Sequence, residues 1–177
     1  MVVEKIKKAN VAILISGRGS NMEALIRASK DPRYPAKIAL VISNKNNAAG
    51  IEIAKKYKIK TAIILKEQYN SRIDYDRALS SNLLNENIEY ICAAGFMRIL
   101  SEEFIDQWWN KIINIHPSLL PSYKGLNTHQ RVLDDRTKVT GCSVHIVRKE
   151  LDNGPIIIQA AVPVEENDTE EILSKRV

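Results

Sequence analysis

The sequence predicts an α/β fold with a doubly wound, mostly parallel sheet and an antiparallel pair of strands near the C-terminus. Short runs rich in Val, Ile and Leu alternate with segments of helical periodicity over residues 11–116, which is typical of βαβ crossovers. These runs are apolar throughout, as in a parallel sheet that helices cover on both faces. After residue 125 two strand-like runs follow one another with only a turn between them, which favours antiparallel pairing.

Five strands are predicted in the first part of the chain, each from an apolar run rich in β-branched residues. They cover residues 11–16, 38–43, 61–65, 90–95 and 111–116. Helices are predicted between them over residues 20–30, 47–58, 71–87 and 101–109.

Local signals support three of these helices. Ser20 and Glu23 have the spacing of a capping box at the start of the first helix. Tyr75, Leu79 and Leu83 share one face of the third helix, which predicts that this face is buried. The fourth helix begins with acidic residues, which the helix dipole favours there.

The C-terminal part predicts two strands over residues 139–147 and 154–164. The connecting stretch RKELDNG contains an Asn-Gly step, which suits a tight reversal of the chain. A last helix is predicted over residues 168–177, with Asp168 as its N-cap.

Composition excludes several classes of protein. The chain has 177 residues, 45% of them hydrophobic and 27% charged, which suits one globular domain over residues 1–177. It has no long uncharged apolar run and no apolar leader, so we predict neither a membrane span nor a secretory signal. The net charge of +5 is spread in small lysine clusters without aromatic platforms, so no nucleic-acid partner is predicted. Cys92 and Cys142 lie in apolar runs and are expected to be buried, reduced thiols of a cytoplasmic protein.

The first strand runs into the glycine-containing stretch SGRGSN. The backbone N–H groups of Gly19, Ser20 and Asn21 would point at a phosphate at the start of the following helix. A plain strand-to-helix turn that needs glycine explains the stretch equally well. The third glycine of the dinucleotide fingerprint is absent, no acidic residue ends the second strand, and the Walker pattern is also missing, which argues against NAD and nucleoside triphosphates.

The fifth strand ends in Asn114 and His116, which point to the same side because side chains alternate along a strand. Pro117 restricts the backbone of His116 to an extended conformation. An amide N–H and an imidazole side by side can polarise a carbonyl and stabilise a developing oxyanion during acyl-type transfer. Asp152 is the best candidate for a carboxylate that holds the imidazole, although a turn Asp that bonds its own backbone is the commoner case.

The other reactive residue types do not form a recognisable set. His145 lies within a predicted strand, where a structural role is expected, and His129 lies near the entrance of a short helix, where its role is open. The three histidines are scattered without ligand spacing, so no metal site is predicted. The sequence contains no convincing Ser-His-Asp or Cys-His arrangement.

These motifs together resemble the phosphoribosylglycinamide formyltransferase family. NIHPSLLP is typical of folate-dependent formyltransferases, and SGRGSN with AGFMRILS narrows the resemblance to the enzymes of glycinamide ribonucleotide. The stretches ISNK, GCSVH and ELDNGPIIIQAAVPV follow in the family's order, so the resemblance runs from Val11 to Val177.

The resemblance implies a Rossmann-like fold and transfer of a formyl group from 10-formyltetrahydrofolate to the amine of 5-phosphoribosylglycinamide in de novo purine biosynthesis. No metal is implied, and the protein is expected to be a monomer or a homodimer. The residues implied are Asn114, His116 and Asp152 for catalysis, Gly19, Ser20 and Asn21 for the substrate phosphate, and Arg72, Met97, Arg98, Ile99, Leu100 and Asn114 for the folate.

The sequence also departs from the family's pattern. Arg18 stands where the family often has Asn, and its side chain is expected to reach solvent. Lys124 and Asn127 replace Pro and His, so a looser loop is expected over the site. The family's last helical segment is expected to be missing, with weaker acceptor binding as a result.

Two other functions remain open at this point. One is a related formyl-folate enzyme with another acceptor, such as methionyl-tRNA or a sugar nucleotide, or a deformylase that uses water. The other is a catalytically inactive module that binds folate or phosphate.

Overall fold

The computed structural model describes residues 7–177. The chain divides into two compact units, the first ending at Ile112 and the second running from Ile113 to Val177.

The first unit contains four parallel strands with helices between them. The strands are β1 (Ala9–Ile15), β2 (Ala36–Ser43), β3 (Lys60–Ile63) and β4 (Tyr90–Ala93), in the order β3-β2-β1-β4. The helices are α1 (Ser20–Ala28), α2 (Ala49–Lys56), α3 (Arg72–Asn85) and α4 (Glu102–Gln107), with a short 3-10 helix at Lys66–Gln68.

The core of the first unit forms where apolar side chains of the central strands meet the buried faces of the helices. In β1, Ile13 and Ile15 are fully buried and pack in one cluster with Met22 and Ile26 of α1. The predicted apolar face of α3 is also confirmed, since its Tyr75, Leu79 and Leu83 are fully buried. This burial of apolar surface is the main force that holds the strand ends in place.

The second unit contains all but the first residue of β5 (Ile112–His116), together with α5 (Thr128–Asp134), β6 (Val139–Ile146), β7 (Ile156–Pro163) and α6 (Glu170–Arg176). Strand β6 lies between β5 and β7 and is antiparallel to both. The fold class is therefore confirmed, with parallel pairing in the first four strands and antiparallel pairing near the C-terminus. The predicted pair β6–β7 is present, and β6 also pairs with β5.

Two predicted helix caps are wrong. Gly19, not Ser20, is the N-cap of α1. Its backbone is left-handed (φ 79°), and Ser20 is the first helical residue. Thr169, not Asp168, caps α6, and its hydroxyl accepts a hydrogen bond from the N–H of Ile172. Asp168 instead accepts a hydrogen bond from Nη2 of Arg176 at 2.7 Å.

No helix within residues 7–177 has both the length and the apolar character needed to cross a membrane.

Candidate active site

Three polar side chains of the second unit come together because of the strand register. Asn114 of β5 is paired with His145 of β6, and His116 is paired with Ser143. Alternation along β5 places Asn114 and His116 on the same side, as the sequence predicts. Cross-strand pairing then adds His145 to that side.

Asp152 lies in the turn after β6 and completes the cluster. Its backbone is in the left-handed region (φ 47°), and its side chain is 8% exposed. Carboxylate oxygen Oδ2 lies 3.3 Å from Nδ1 of His116 and accepts a hydrogen bond from the N–H of Gly125 at 2.9 Å. The other oxygen, Oδ1, lies 3.6 Å from Nε2 of His145. The carboxylate therefore faces two imidazole rings and the backbone of the loop between β5 and α5.

These contacts keep the Asp152 carboxyl ionised. Burial by itself would raise the pKa of this carboxyl. The contact with His145, the hydrogen bond from the Gly125 N–H and the nearby His116 ring outweigh burial, and the pKa of Asp152 lies below its ordinary value.

His116 has an oxygen beside each of its ring nitrogens. Nε2 lies 2.9 Å from the carbonyl oxygen of Tyr123, and Nδ1 faces the carboxylate of Asp152. A carbonyl oxygen and a carboxylate both accept hydrogen bonds, so this arrangement suits a ring that carries a proton on each nitrogen. The buried His116–Asp152 pair can hold a positive charge beside a reacting carbonyl.

His145, for which a structural role was predicted from the sequence, lies inside the cluster. Its Nε2 lies 3.1 Å from Nδ2 of Asn114, and its Nδ1 lies 3.1 Å from the carbonyl oxygen of Ile146. The signal that could have revealed it is the β5–β6 pairing, which places Asn114 and His145 opposite one another. The sequence predicted an antiparallel β6–β7 pair added to the parallel sheet, without the β5–β6 register that brings these two residues together.

The loop between β5 and α5 is held by hydrogen bonds. Arg131 donates to the carbonyl oxygen of Lys124 at 2.7 Å, and Lys124 donates to the side chain of Asn153. Asn127 adopts a left-handed backbone (φ 54°) as the N-cap of α5. Lys124 therefore ties the loop to the turn that carries Asp152, which does not support the looser loop expected from its sequence.

The predicted phosphate-binding stretch forms the turn from β1 to α1 in the first unit. Gly19 packs so closely against α2 that a Cβ at this position would lie 2.8 Å from Cα of Gly50. Ser20 and Asn21 are the first two residues of α1, where backbone N–H groups have no partner within the helix. Both side chains are exposed, and so is Arg18, as expected.

The segment predicted to bind folate, residues 97–100, follows β4 in the first unit. The N–H of Met97 donates to Oγ of the buried Ser16 at 2.8 Å, which links this segment to the end of β1. The guanidinium of Arg98 lies 3.9 Å from the centre of the Tyr75 ring, a cation–π contact. Met97 and Ile99 are 65% and 62% exposed, so this segment presents an apolar surface.

The remaining predicted folate residues differ in exposure. Leu100 is buried, whereas Arg72, the first residue of α3, is exposed. The role of Ser16 carried no signal in the sequence, because a hydroxyl at a strand end is common and the Met97 segment lies 81 residues away.

The two cysteines are free and only half-buried, so full burial was wrong. Burial raises the pKa of the Cys92 thiol to about 11, which makes it a poor nucleophile at neutral pH. Within residues 7–177, no group of three or more His, Cys, Asp and Glu side chains is arranged to hold a metal ion.

Comparison with known protein families matches residues 9–177 to the family described as formyl transferase. The chain is 52% identical over 170 residues to a trifunctional purine biosynthetic protein adenosine-3 of Gallus gallus, covering 96% of this chain and 17% of that protein. It spans about a sixth of the length of such relatives. It is 42% identical to the phosphoribosylglycinamide formyltransferase of Escherichia coli, covering 95% of this chain and 79% of that enzyme.

Solved structures match over nearly the whole chain. A glycinamide ribonucleotide transformylase from Symbiobacterium toebii has a TM-score of 0.94 at 39% identity, covering 96% of this chain and 80% of that one. A phosphoribosylglycinamide formyltransferase from Brucella melitensis has a TM-score of 0.92 at 47% identity, covering 97% and 88%.

Proposed function

We propose that this chain, which belongs to the formyl transferase family, transfers the formyl group of 10-formyltetrahydrofolate to the amine of 5-phosphoribosylglycinamide in purine biosynthesis. The observation that carries the proposal is the buried cluster of Asn114, His116 and Asp152, in a chain 42% identical to an enzyme named for this activity. The two free thiols suit a reducing compartment, and we place the protein in the cytoplasm.

Catalysis begins when the acceptor amine attacks the formyl carbon and the formyl oxygen gains negative charge. Asn114 stabilises this oxygen by donating an amide N–H, and the positive charge of His116 stabilises it further. The Nε2–H of His116 lies against the Tyr123 carbonyl at 2.9 Å, so it can donate to the substrate only after leaving that carbonyl. The bond between the formyl carbon and the folate nitrogen then breaks.

Asp152 supports this step through its charge. The lowered pKa of its carboxyl means that it is ionised at neutral pH and stabilises the protonated His116 ring 3.3 Å away. We assign to it the ordering of a water that carries the proton from the attacking nitrogen to the folate nitrogen. No protein nucleophile takes part, because the amine of the substrate attacks directly.

The backbone N–H groups of Gly19, Ser20 and Asn21 bind the phosphate of the acceptor in this proposal. Support comes from their position at the start of α1, where the helix dipole favours negative charge. The close packing of Gly19 on Gly50 leaves no room for a side chain at Gly19, so its backbone can approach a phosphate closely.

The folate is bound by the stretch of Met97, Arg98, Ile99 and Leu100, with Arg72 and Asn114 as further contacts. Support comes from the exposed apolar side chains of Met97 and Ile99, which suit a flat aromatic ring system. The exposed guanidinium of Arg72 suits the carboxylates at the other end of the folate.

The test is an assay of the purified chain with 10-formyltetrahydrofolate and one acceptor at a time. We expect formylated 5-phosphoribosylglycinamide, detected by mass spectrometry together with the absorbance change of the folate. Formylation of methionyl-tRNA or a sugar nucleotide in its place, or release of formate, would assign the chain to a related activity. Folate binding by calorimetry without any turnover would identify an inactive binding module and reject the proposal.

A further inference from the structure

We infer that His145 is a positioning residue that fixes the orientation of the Asn114 side-chain amide, an inference that rests on the proposed function for its effect on rate. The two residues are a directly opposed cross-strand pair, and Nδ2 of Asn114 lies 3.1 Å from Nε2 of His145. His145 is buried, so water does not compete for this contact.

The partners of His145 determine which ring nitrogen carries its proton. Nδ1 lies 3.1 Å from the carbonyl oxygen of Ile146, which can only accept a hydrogen bond, so Nδ1 must be the donor. In a neutral imidazole the other nitrogen is then an acceptor. Nε2 of His145 therefore accepts an N–H of Asn114.

Asn114 lies closer to this nitrogen than Asp152 does. Oδ1 of Asp152 is 3.6 Å from Nε2 of His145, which is beyond hydrogen-bond distance. The other carboxylate oxygen faces His116, whose two ring nitrogens both face oxygen atoms. His116 thus has an acceptor beside each ring nitrogen, whereas the nearest group to Nε2 of His145 is the amide of Asn114.

The amide of Asn114 is held in one orientation as a consequence. A side-chain amide can turn over and exchange its oxygen and nitrogen at little steric cost, because the two ends have almost the same shape. Turning the amide of Asn114 would place its oxygen against the lone pair of Nε2 in His145, which is unfavourable. The second N–H of Asn114 then keeps a constant direction, as donation to a formyl oxygen requires.

The carbonyl that contacts His145 is closely packed. A Cβ on Gly154 would lie 1.7 Å from the carbonyl oxygen of Ile146, so Gly154 lies directly against this group. The N–H of Ile146 donates to the carbonyl oxygen of Pro155 at 2.9 Å. The pairing of β6 with β7 also shifts register between Val144 and His145, an irregularity that often directs a side chain toward a site.

Nitrogen-15 NMR of the histidine-labelled protein tests the tautomer without any assay of activity. At neutral pH we expect the proton of His145 on Nδ1 and none on Nε2, with the resonance assigned by its loss in His145→Gln. A proton on Nε2 would overturn the inference, whether or not the protein transfers formyl groups. An inactive protein with the expected tautomer would instead reject the proposed function and, with it, the effect on rate.

Kinetics of three variants separate positioning from packing. His145→Leu removes the acceptor, and we expect kcat to fall roughly tenfold or more with a smaller change in the KM of the acceptor. His145→Gln keeps a side-chain oxygen that can accept the Asn114 N–H, and we expect it to recover part of the loss. His129→Gln replaces a histidine outside the cluster and should leave kcat unchanged.

A double-mutant cycle gives the decisive comparison. In an Asn114→Ala background the amide is gone, so His145→Leu should lower kcat much less than it does in the wild type. An equal fold-loss in both backgrounds would show that His145 acts independently of Asn114 and would overturn the inference. Circular dichroism of each variant confirms folding, and the NMR experiment on the wild type decides the matter if His145→Leu does not fold.

Discussion

At the scale of single residues, His116 and Asp152 are the pair that the proposed mechanism relies on to carry charge. The ring of His116 is 6% exposed and lies between the Asp152 carboxylate and the Tyr123 carbonyl. Because the ring is buried, a positive charge on it would be weakly screened and would act strongly on a neighbouring oxygen.

Replacement of His116 by Ala tests this role. We expect the barrier to formyl transfer to rise by about 2.7–4 kcal/mol, the scale seen when one donor to an oxyanion is lost. The measurement is kcat with saturating donor and acceptor. His129→Ala provides the control, since it removes a histidine of the same unit from α5. Near-normal turnover in His116→Ala would contradict the role.

The sequence predicted the side chains at the strand end but not all of their contacts. Asn114 and His116 were predicted to face the same way because residues two apart on a strand must do so. The approach of Asp152 depends on a turn with a left-handed backbone 36 residues later, which no local pattern specifies, and only the family resemblance pointed to it. His145 was assigned to structure because it lies within a predicted strand, and its pairing with Asn114 of β5 was not predicted.

At the scale of secondary structure, the turn between β1 and α1 combines two constraints on Gly19. Its positive φ disfavours any side chain, and its contact with Gly50 leaves no room for one. Gly17 lies in the same turn without either constraint, because a Cβ there would meet no atom within 4 Å.

This difference predicts that Ala destabilises the protein at position 19 but not at position 17. Gly19→Ala should lower the free energy of unfolding by more than about 1 kcal/mol and raise the KM of the phosphorylated acceptor, because the left-handed backbone and the Gly50 contact both oppose a methyl group. Gly17→Ala should leave the free energy of unfolding nearly unchanged. Urea unfolding and steady-state kinetics measure both quantities. Equal stability of the two variants would disprove this account of the turn.

The presence of helices and strands was predicted better than the residues at which they begin and end. Long apolar runs and the buried face of α3 were found correctly, because burial of apolar side chains decides them. The N-caps of α1 and α6 were assigned to the wrong neighbour, because Ser, Thr, Asp and Gly all serve as caps and the choice depends on the backbone angles. The pairing of β6 with β5 was not predicted, because it depends on contacts between segments that are distant in the sequence.

At the scale of the whole molecule, the buried ionisable groups make stability depend on pH. Burial lowers the pKa of His129, against a smaller opposing effect of Glu170. The unfolded chain therefore binds a proton at this histidine more readily than the folded chain, so stability falls as the pH drops below about 6.5. The carboxyl of Asp152 has a lowered pKa, so its stabilising contribution is lost only below about pH 4.

His129→Gln should therefore flatten the loss of stability between about pH 6.5 and pH 5 while leaving the steep loss below about pH 4 in place. The measurement is the free energy of unfolding in urea at a series of pH values. An unchanged slope between pH 6.5 and 5 in the variant would show that His129 does not cause it.

The most direct test of the central claim is the rate of formyl transfer from 10-formyltetrahydrofolate to 5-phosphoribosylglycinamide in Asp152→Asn. Glu150→Gln is the matched control, since it neutralises an exposed carboxylate in the same turn. In the proposed mechanism the buried carboxylate stabilises a positive charge on His116, so we predict a fall in kcat of roughly a hundredfold or more in Asp152→Asn and near wild-type turnover in Glu150→Gln. Wild-type turnover in a correctly folded Asp152→Asn would contradict the claim that this carboxylate, the imidazole and the amide of Asn114 act together in the reaction.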